Sequence, residues 1–296
     1  MSDKKPFVPV VAVLNMKGGV GKTTISANVF RVLFERKRVG TLLIDLDPQF
    51  NLSQALHTRE AYDALKDAGK TVAAAMEPTP DVGLFEIKTS DQPPPSPASL
   101  SHTFYHFKGA KPEKNLDLVA GDFSMVKYSL MDDSAKLKKV RNRFSKFIDG
   151  AKNDYQVICL DCNPSSSFLT MCALEVCTHI LVPVRPDRYS ILGLEVLWKF
   201  VHEIIPITPK PEFIVLLNGL PRSVGGTNVG IVEAELRGHN LFGVKTLANS
   251  LRHSGVLEAK ADYTGFATDK KVPWSAALMK EVSAVADELA GKLGVK

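Results

Sequence analysis

The stretch that decides the reading of this chain is Val10-Val-Ala-Val-Leu-Asn-Met-Lys-Gly-Gly-Val-Gly-Lys-Thr-Thr24. Val8 to Leu14 is an apolar run of strand length. It breaks into a turn carrying Gly18, Gly19 and Gly21, and Lys22-Thr23-Thr24 then opens a helix predicted to continue to about Arg36. A strand, a glycine loop and a helix N-terminus form a phosphate cradle. The glycines let the backbone N–H groups of Gly18, Gly19, Val20 and Gly21 approach phosphate oxygens, and the helix adds the positive end of its dipole. Lys22 brings a point charge for the outer phosphates. The Thr23 hydroxyl suits Mg²⁺, and Thr24 extends the polar start of the helix.

The general pattern G-x-x-x-x-G-K-[ST] places a glycine where this chain has Met16, and Lys17 follows it. In this respect Lys17-Gly-Gly-Val-Gly-Lys-Thr-Thr24 resembles the deviant phosphate loop of the ParA/MinD family of ATPases. The run Leu43-Ile-Asp-Leu-Asp-Pro-Gln-Phe-Asn-Leu52 resembles that family's first switch, and Tyr155-Gln-Val-Ile-Cys-Leu-Asp161 its Walker B strand. Cys162-Asn-Pro-Ser-Ser-Ser167 resembles the second switch, with Asn163 where a proline is more usual.

The resemblance implies a fold and a set of roles. The fold is one α/β domain over residues 1–296, a mostly parallel sheet with helices on both faces. Lys17 would reach a partner's phosphates across an ATP-sandwiched homodimer, Lys22 would hold phosphate, and Asp47 would orient the attacking water. Thr23, Asp45 and Asp161 would serve Mg²⁺ and its water shell. Asn218, at the end of the apolar strand Pro211–Asn218, would read the adenine edge. The implied protein is an ATP–Mg²⁺ switch that hydrolyses ATP slowly, binds DNA without sequence preference and positions DNA or protein cargo. A ParB-like or cargo-adaptor protein would stimulate hydrolysis. The residues singled out for DNA are Arg252, with Arg237 and Lys245.

The rest of the chain bounds these expectations. It has 296 residues, is 45% hydrophobic and carries a net charge of +5, which permits a polyanionic partner without requiring one. No apolar run approaches the roughly 20 residues that span a bilayer. The polar start Met1-Ser-Asp-Lys-Lys-Pro6 does not read as a signal peptide, and no helix-turn-helix is expected ahead of Val8. A cytoplasmic, nucleoid-associated protein is expected. Cys159 and Cys162 have C-x-x-C spacing, but Cys159 lies within a strand pattern and no second pair exists, so all four cysteines read as buried free thiols.

Residues 53–76 read as helical, and 77–115 as a proline-punctuated insertion of polyproline or disordered character, with His102, Tyr105 and His106 in a solvated stretch. Lys136, Lys138, Lys139, Arg141, Arg143 and Lys146 lie between apolar positions at helical spacing. They form either a solvated helix face or part of a DNA- or partner-binding patch. Val244–Leu247 reads as a short strand. Arg222 and Lys260 add to a basic C-terminal third.

Two other functions need separating. A MinD-like membrane-associated ATPase is disfavoured because Lys280, Lys292 and Lys296 are balanced by Glu281, Asp287 and Glu288 in the last helix. A metal-cluster ATPase would need an exposed cysteine pair.

Overall fold

A computed structural model describes residues 6–79, 83, 86–109, 113–165, 167–187, 189–221, 228–257 and 263–296. Eight strands form one sheet: β1 (Val10–Val13), β2 (Thr41–Asp45), β3 (His102–His106), β4 (Asn115–Val119), β5 (Val157–Asp161), β6 (His179–Val184), β7 (Glu212–Leu220) and β8 (Leu251–Arg252). Their order is β3-β4-β2-β5-β1-β6-β7-β8, antiparallel only between β3 and β4. The four central strands β2, β5, β1 and β6 are buried along their whole length, as continuous Val/Ile/Leu runs require when helices cover both faces.

The pleat divides these residues between two cores. Val11 and Val13 join Ile25, Val29 and Leu33 of α1 (Lys22–Lys37) and Val282, Val285 and Leu289 of α10 (Ser275–Lys292). Val10, Ala12 and Leu14 face the other way, onto Val140, Phe144 and Phe147 of α6 (Ser134–Ala151) and Leu169 and Ala173 of α7 (Phe168–Val176). α8 (Ser190–Lys199) and α9 (Asn228–Gly238) complete this side, and a π-turn at Phe200–Ile204 extends α8.

The helical stretch after β2 is three helices, not one: α2 (Asn51–Leu56), α3 (Arg59–Asp67) and α4 (Val72–Met76). Thr58 caps α3 through the Ala61 N–H, and Gly69 adopts φ +65° at the second break.

The insertion also departs from expectation. Within it, α5 (Pro97–Leu100) carries proline at the helix start, where no N–H is needed, and β3 adds an antiparallel edge to the sheet. Phe104 and Phe107 anchor that edge, Phe107 stacked on Phe34 with ring centroids 4.6 Å apart. His102, Tyr105 and His106 are exposed on a strand, not on a loop, and the Tyr105 hydroxyl donates to Asp269. The expected strand at Val244–Leu247 is instead a 3-10 turn, Gly243–Lys245, followed by a single bridge from Thr246 to Val215.

Candidate nucleotide site

β1, β5 and β2 lie side by side, so their C-terminal ends deliver the phosphate loop, Asp161 and Asp45 to one edge of the sheet. Asp161 is in register with Val13 and with Asp45. A cleft of about 940 Å³ opens above them. Gly18, Gly19, Gly21, Lys22, Thr23 and Thr24 line its floor; Asp47, Pro48 and Gln49 one side; Asn163, Pro164 and Ser165 another.

The start of α1 has no side-chain cap, and Gly21 precedes it at φ +92°. The unpaired N–H groups of the first turn are therefore available to an anion. Lys22 is 8% exposed and donates to the Asn15 and Lys17 carbonyls at 3.2 Å each, spanning its own loop. Burial lowers its pKa, against the opposing pull of Asp161 and Asp47.

The Lys17 side chain lies at the outer rim, in an ion pair with Asp187 just beyond β6. Burial disfavours the Asp187 charge, but the Lys17, Tyr189 and Ser190 hydrogen bonds outweigh it and hold the carboxyl below its usual range. Asn15 sets this rim: its amide donates to the Pro183 carbonyl at 2.8 Å and its Oδ1 accepts the Lys17 N–H at 2.9 Å.

The three aspartates are placed differently. Asp161 is 1% exposed, and its Oδ1 accepts the Ser26 hydroxyl at 2.8 Å. Its Oδ2 is buried with no partner among the described residues. Burial raises its pKa, opposed by the Ser26 and Thr23 hydroxyls. A buried carboxylate oxygen without a donor, beside the Thr23 hydroxyl, fits the water shell of a divalent cation.

Asp45 is fully buried and already engaged. Its Oδ2 accepts the Ser53 N–H at 2.8 Å and the Ser53 hydroxyl at 2.7 Å, and its Oδ1 accepts the Asp47 N–H at 3.3 Å. It caps α2 and pins the turn that carries Asp47. Burial, then repulsion from Asp161, raises its pKa. Asp47 is 8% exposed on the cleft wall, and its Oδ1 accepts the Gln49 N–H at 2.9 Å.

Asn218 is 9% exposed and absent from the described cleft lining. Its Nδ2 donates to the Val20 carbonyl at 2.7 Å, so here it braces the phosphate loop from below. On the cleft wall the Asn163 Oδ1 accepts from Thr170 at 3.0 Å, tying the second switch to α7.

Of the residues singled out for DNA, Arg252 is exposed. Arg237 is committed to Glu233 at 2.9 Å and the Leu247 carbonyl at 3.0 Å, and Lys245 lies 5.1 Å from the Trp198 ring centroid. Both side chains are partly exposed. Arg222 and Lys260, and most of the glycine-rich loop after Pro221, lie outside the described residues.

On α6, Arg143 is buried and donates to the Gln92 carbonyl, and Arg141 pairs with Glu175 at 3.0 Å; Lys138, Lys139 and Lys146 are exposed. The four cysteines are buried and free. No metal-holding group of three His, Cys, Asp or Glu occurs among the described residues, and no described helix is long and apolar enough to cross a membrane.

Sequence reasoning passed over Ser26, Ser53, Asn28 and Asp187. Ser26 and Asn28 did carry a signal: they are polar residues inside a buried amphipathic helix. Asn28 Oδ1 accepts the Thr268 N–H at 2.9 Å, binding the C-terminal segment to α1. Nothing local marks Ser53 or Asp187.

Residues 8–211 match the family model described as AAA domain. An uncharacterised protein of Methanocaldococcus jannaschii is 30% identical over 210 residues, 70% of each chain. The sporulation initiation inhibitor protein Soj of Bacillus subtilis is 28% identical over 200 residues, 65% of this chain and 64% of Soj, so the chain spans just under two thirds of that relative. The structure of pNOB8 ParA bound to nonspecific DNA superposes with a TM-score of 0.65 at 16% identity, covering 97% of this chain and 99% of that one. The matching family model, the deviant loop with its two lysines and the shared parallel sheet together make this chain a member of the AAA-domain family, a P-loop ATPase of the ParA/MinD group.

Proposed function

We propose that the protein is a ParA/Soj-like partition ATPase: an ATP- and Mg²⁺-driven switch that dimerises around ATP, binds DNA without sequence preference and positions DNA or protein cargo. The observation that carries this reading is the pairing of an uncapped phosphate loop with a Lys17 side chain that is half-exposed, tied to Asp187 and not part of the described lining of its own cleft. A lysine so placed is of use to a second subunit's phosphates.

Lys22 and the α1 N–H groups hold the phosphates. Thr23 and Asp161 would hold Mg²⁺ and its waters, and the ion would neutralise charge on the transferred phosphoryl group. Asp47 orients the attacking water, and Asp45 keeps it in place through Ser53 and the turn backbone. Most of the catalysis is positioning and charge neutralisation. A ParB-like or cargo-adaptor protein is the expected stimulator, and a nucleoid location follows from DNA binding. The MinD-like alternative has less support: the apolar face of α10 is packed on α1, leaving no amphipathic face for a bilayer.

The test is binding to random-sequence duplex DNA with ATP and with ADP, for the wild type and Lys17→Ala, across a salt series. ATP-dependent, salt-sensitive binding that Lys17→Ala abolishes is the expected result. Absence of binding in every nucleotide state would remove the DNA half of the reading and leave the ATPase.

A further inference from the structure

A second concavity, about 440 Å³, opens beside the nucleotide cleft, and the two share a wall: Tyr263 and Lys270 line both. Lys270 Nζ lies 4.4 Å from the Tyr263 ring centroid and donates to the Val256 carbonyl at 3.1 Å, while the Tyr263 hydroxyl donates to the Phe266 carbonyl at 2.9 Å. On the outer side the groove is lined by Lys271, Val272, Pro273 and Trp274. Trp274 is 68% exposed and sits at φ +71°, a backbone state that bulky side chains rarely adopt.

The chemistry of the groove is aromatic and cationic. Its described lining holds two lysines, two aromatic rings and no carboxylate. Arg252 and His253, both exposed, stand on the run that leads to Gly255 at its edge. Two described acids of the flanking segments are engaged: Asp269 accepts from Arg31 at 2.7 Å, and Glu281 accepts the Arg252 N–H at 3.2 Å. This charge is complementary to a polyanion. Indole and phenol rings add a surface on which sugar or base can pack, which a sulfate-like anion would not use. A bilayer would need an open apolar face. Leu278, Val282, Val285 and Leu289 of α10 are buried, so the helix that follows the groove offers no such face.

Resting on the DNA-based reading above, we propose that this groove is a DNA contact of the protein. Lys271 and Arg252 face phosphates, Trp274 packs on sugar or base, and the Tyr263–Lys270 wall makes nucleotide and DNA felt by each other.

The chain has two tryptophans, so Trp198→Phe leaves Trp274 as the only indole reporter. That variant is titrated with random-sequence duplex in the presence of ATP, following Trp274 emission and the polarisation of labelled DNA together. The expected result is a change in emission that saturates with the polarisation. Trp274→Ala weakens binding by about 5- to 100-fold, Trp274→Phe recovers part of the loss, and Lys271→Ala lowers the salt slope by about one. DNA also changes the release rate of a fluorescent ATP analogue from the wild type and not from Trp274→Ala. Circular dichroism and analogue affinity confirm that each variant is folded.

Variants that are folded and bind DNA with wild-type affinity and salt slope would overturn the groove while leaving the DNA reading intact. A wild type that binds no duplex in any nucleotide state would overturn both. Trp274 emission that responds to vesicles of equal phosphatidylglycerol and phosphatidylcholine but not to DNA would overturn the groove alone.

Discussion

Replacing Gly21 with alanine attacks the phosphate loop at two points that can be separated. Gly21 has φ +92°, and a Cβ there would fall far inside contact distance of Asn218 Nδ2. Holding an L-residue in the left-handed region costs about 1–2 kcal/mol. The Asn218 amide must also withdraw, breaking its 2.7 Å bond to the Val20 carbonyl. A buried polar group left without its partner costs about 1–3 kcal/mol, so the full loss is about 2–5 kcal/mol. Asn218→Ala alone makes only the second loss. Since Gly21→Ala has already broken the bond, the double variant should be little worse than Gly21→Ala. The cycle should close with a coupling of about 1–3 kcal/mol. Urea unfolding of the four proteins without nucleotide measures the coupling, and binding of a fluorescent ADP reports whether the cradle is lost with it. Strictly additive losses would refute the brace and return Asn218 to the role of base reader.

Three further outcomes are expected. Burial, then His102, depresses the His57 pKa to about 4, below its unfolded value near 6.5. Stability is therefore complete above pH 6.5 and falls as pH drops toward 4. The loss is about 2 kcal/mol between pH 7 and 5, and His57→Gln should flatten it in urea titrations at the two pH values. Lys127 and Glu77 form an ion pair at 2.6 Å with side chains 1% and 0% exposed, so Lys127→Met should cost about 3–5 kcal/mol in urea unfolding; a loss under 1 kcal/mol would show that Tyr128 and the Lys88 N–H suffice for Glu77. The Lys17 and Asp187 side chains are 50% and 39% exposed, which limits their pair to about 1 kcal/mol. Asp187→Ala should thus shift ATP-dependent self-association, measured by sedimentation velocity, by less than about fivefold per subunit; a larger change would place Asp187 within the assembly itself.

Much of this protein was legible without coordinates. Val10–Val13, Thr41–Asp45, Val157–Asp161 and His179–Val184 are strands because they are continuous apolar runs, and such runs persist only between two helical layers. The loop Lys17–Thr24 could be read because its chemistry is local: glycines, two lysines and two hydroxyls act within eight consecutive residues. Asp47 and Asp161 could be read because strand ends in a parallel sheet face the ligand crevice.

What the fold alone decided comes from contacts between residues far apart in the chain. Asn218 is 198 positions from Val20, yet its strand end lies beneath the phosphate loop, and an amide there is worth more as a brace than the sequence could show. Asp45 and Ser53 meet because α2 turns back over the end of β2. Arg237 and Lys245 read as plain cations in one dimension, and only the fold sets Arg237 against Glu233 and Lys245 beside the Trp198 ring. The proline-rich stretch lacks a clear period. It acquires a strand only because β4 offers an unpaired edge and Phe107 finds Phe34. The sequence by itself determined the layers, the phosphate loop and the acids at the strand ends, because those follow from local pattern. The tertiary structure decided which polar side chains remain for ligands, because that depends on which are first taken by the rest of the chain.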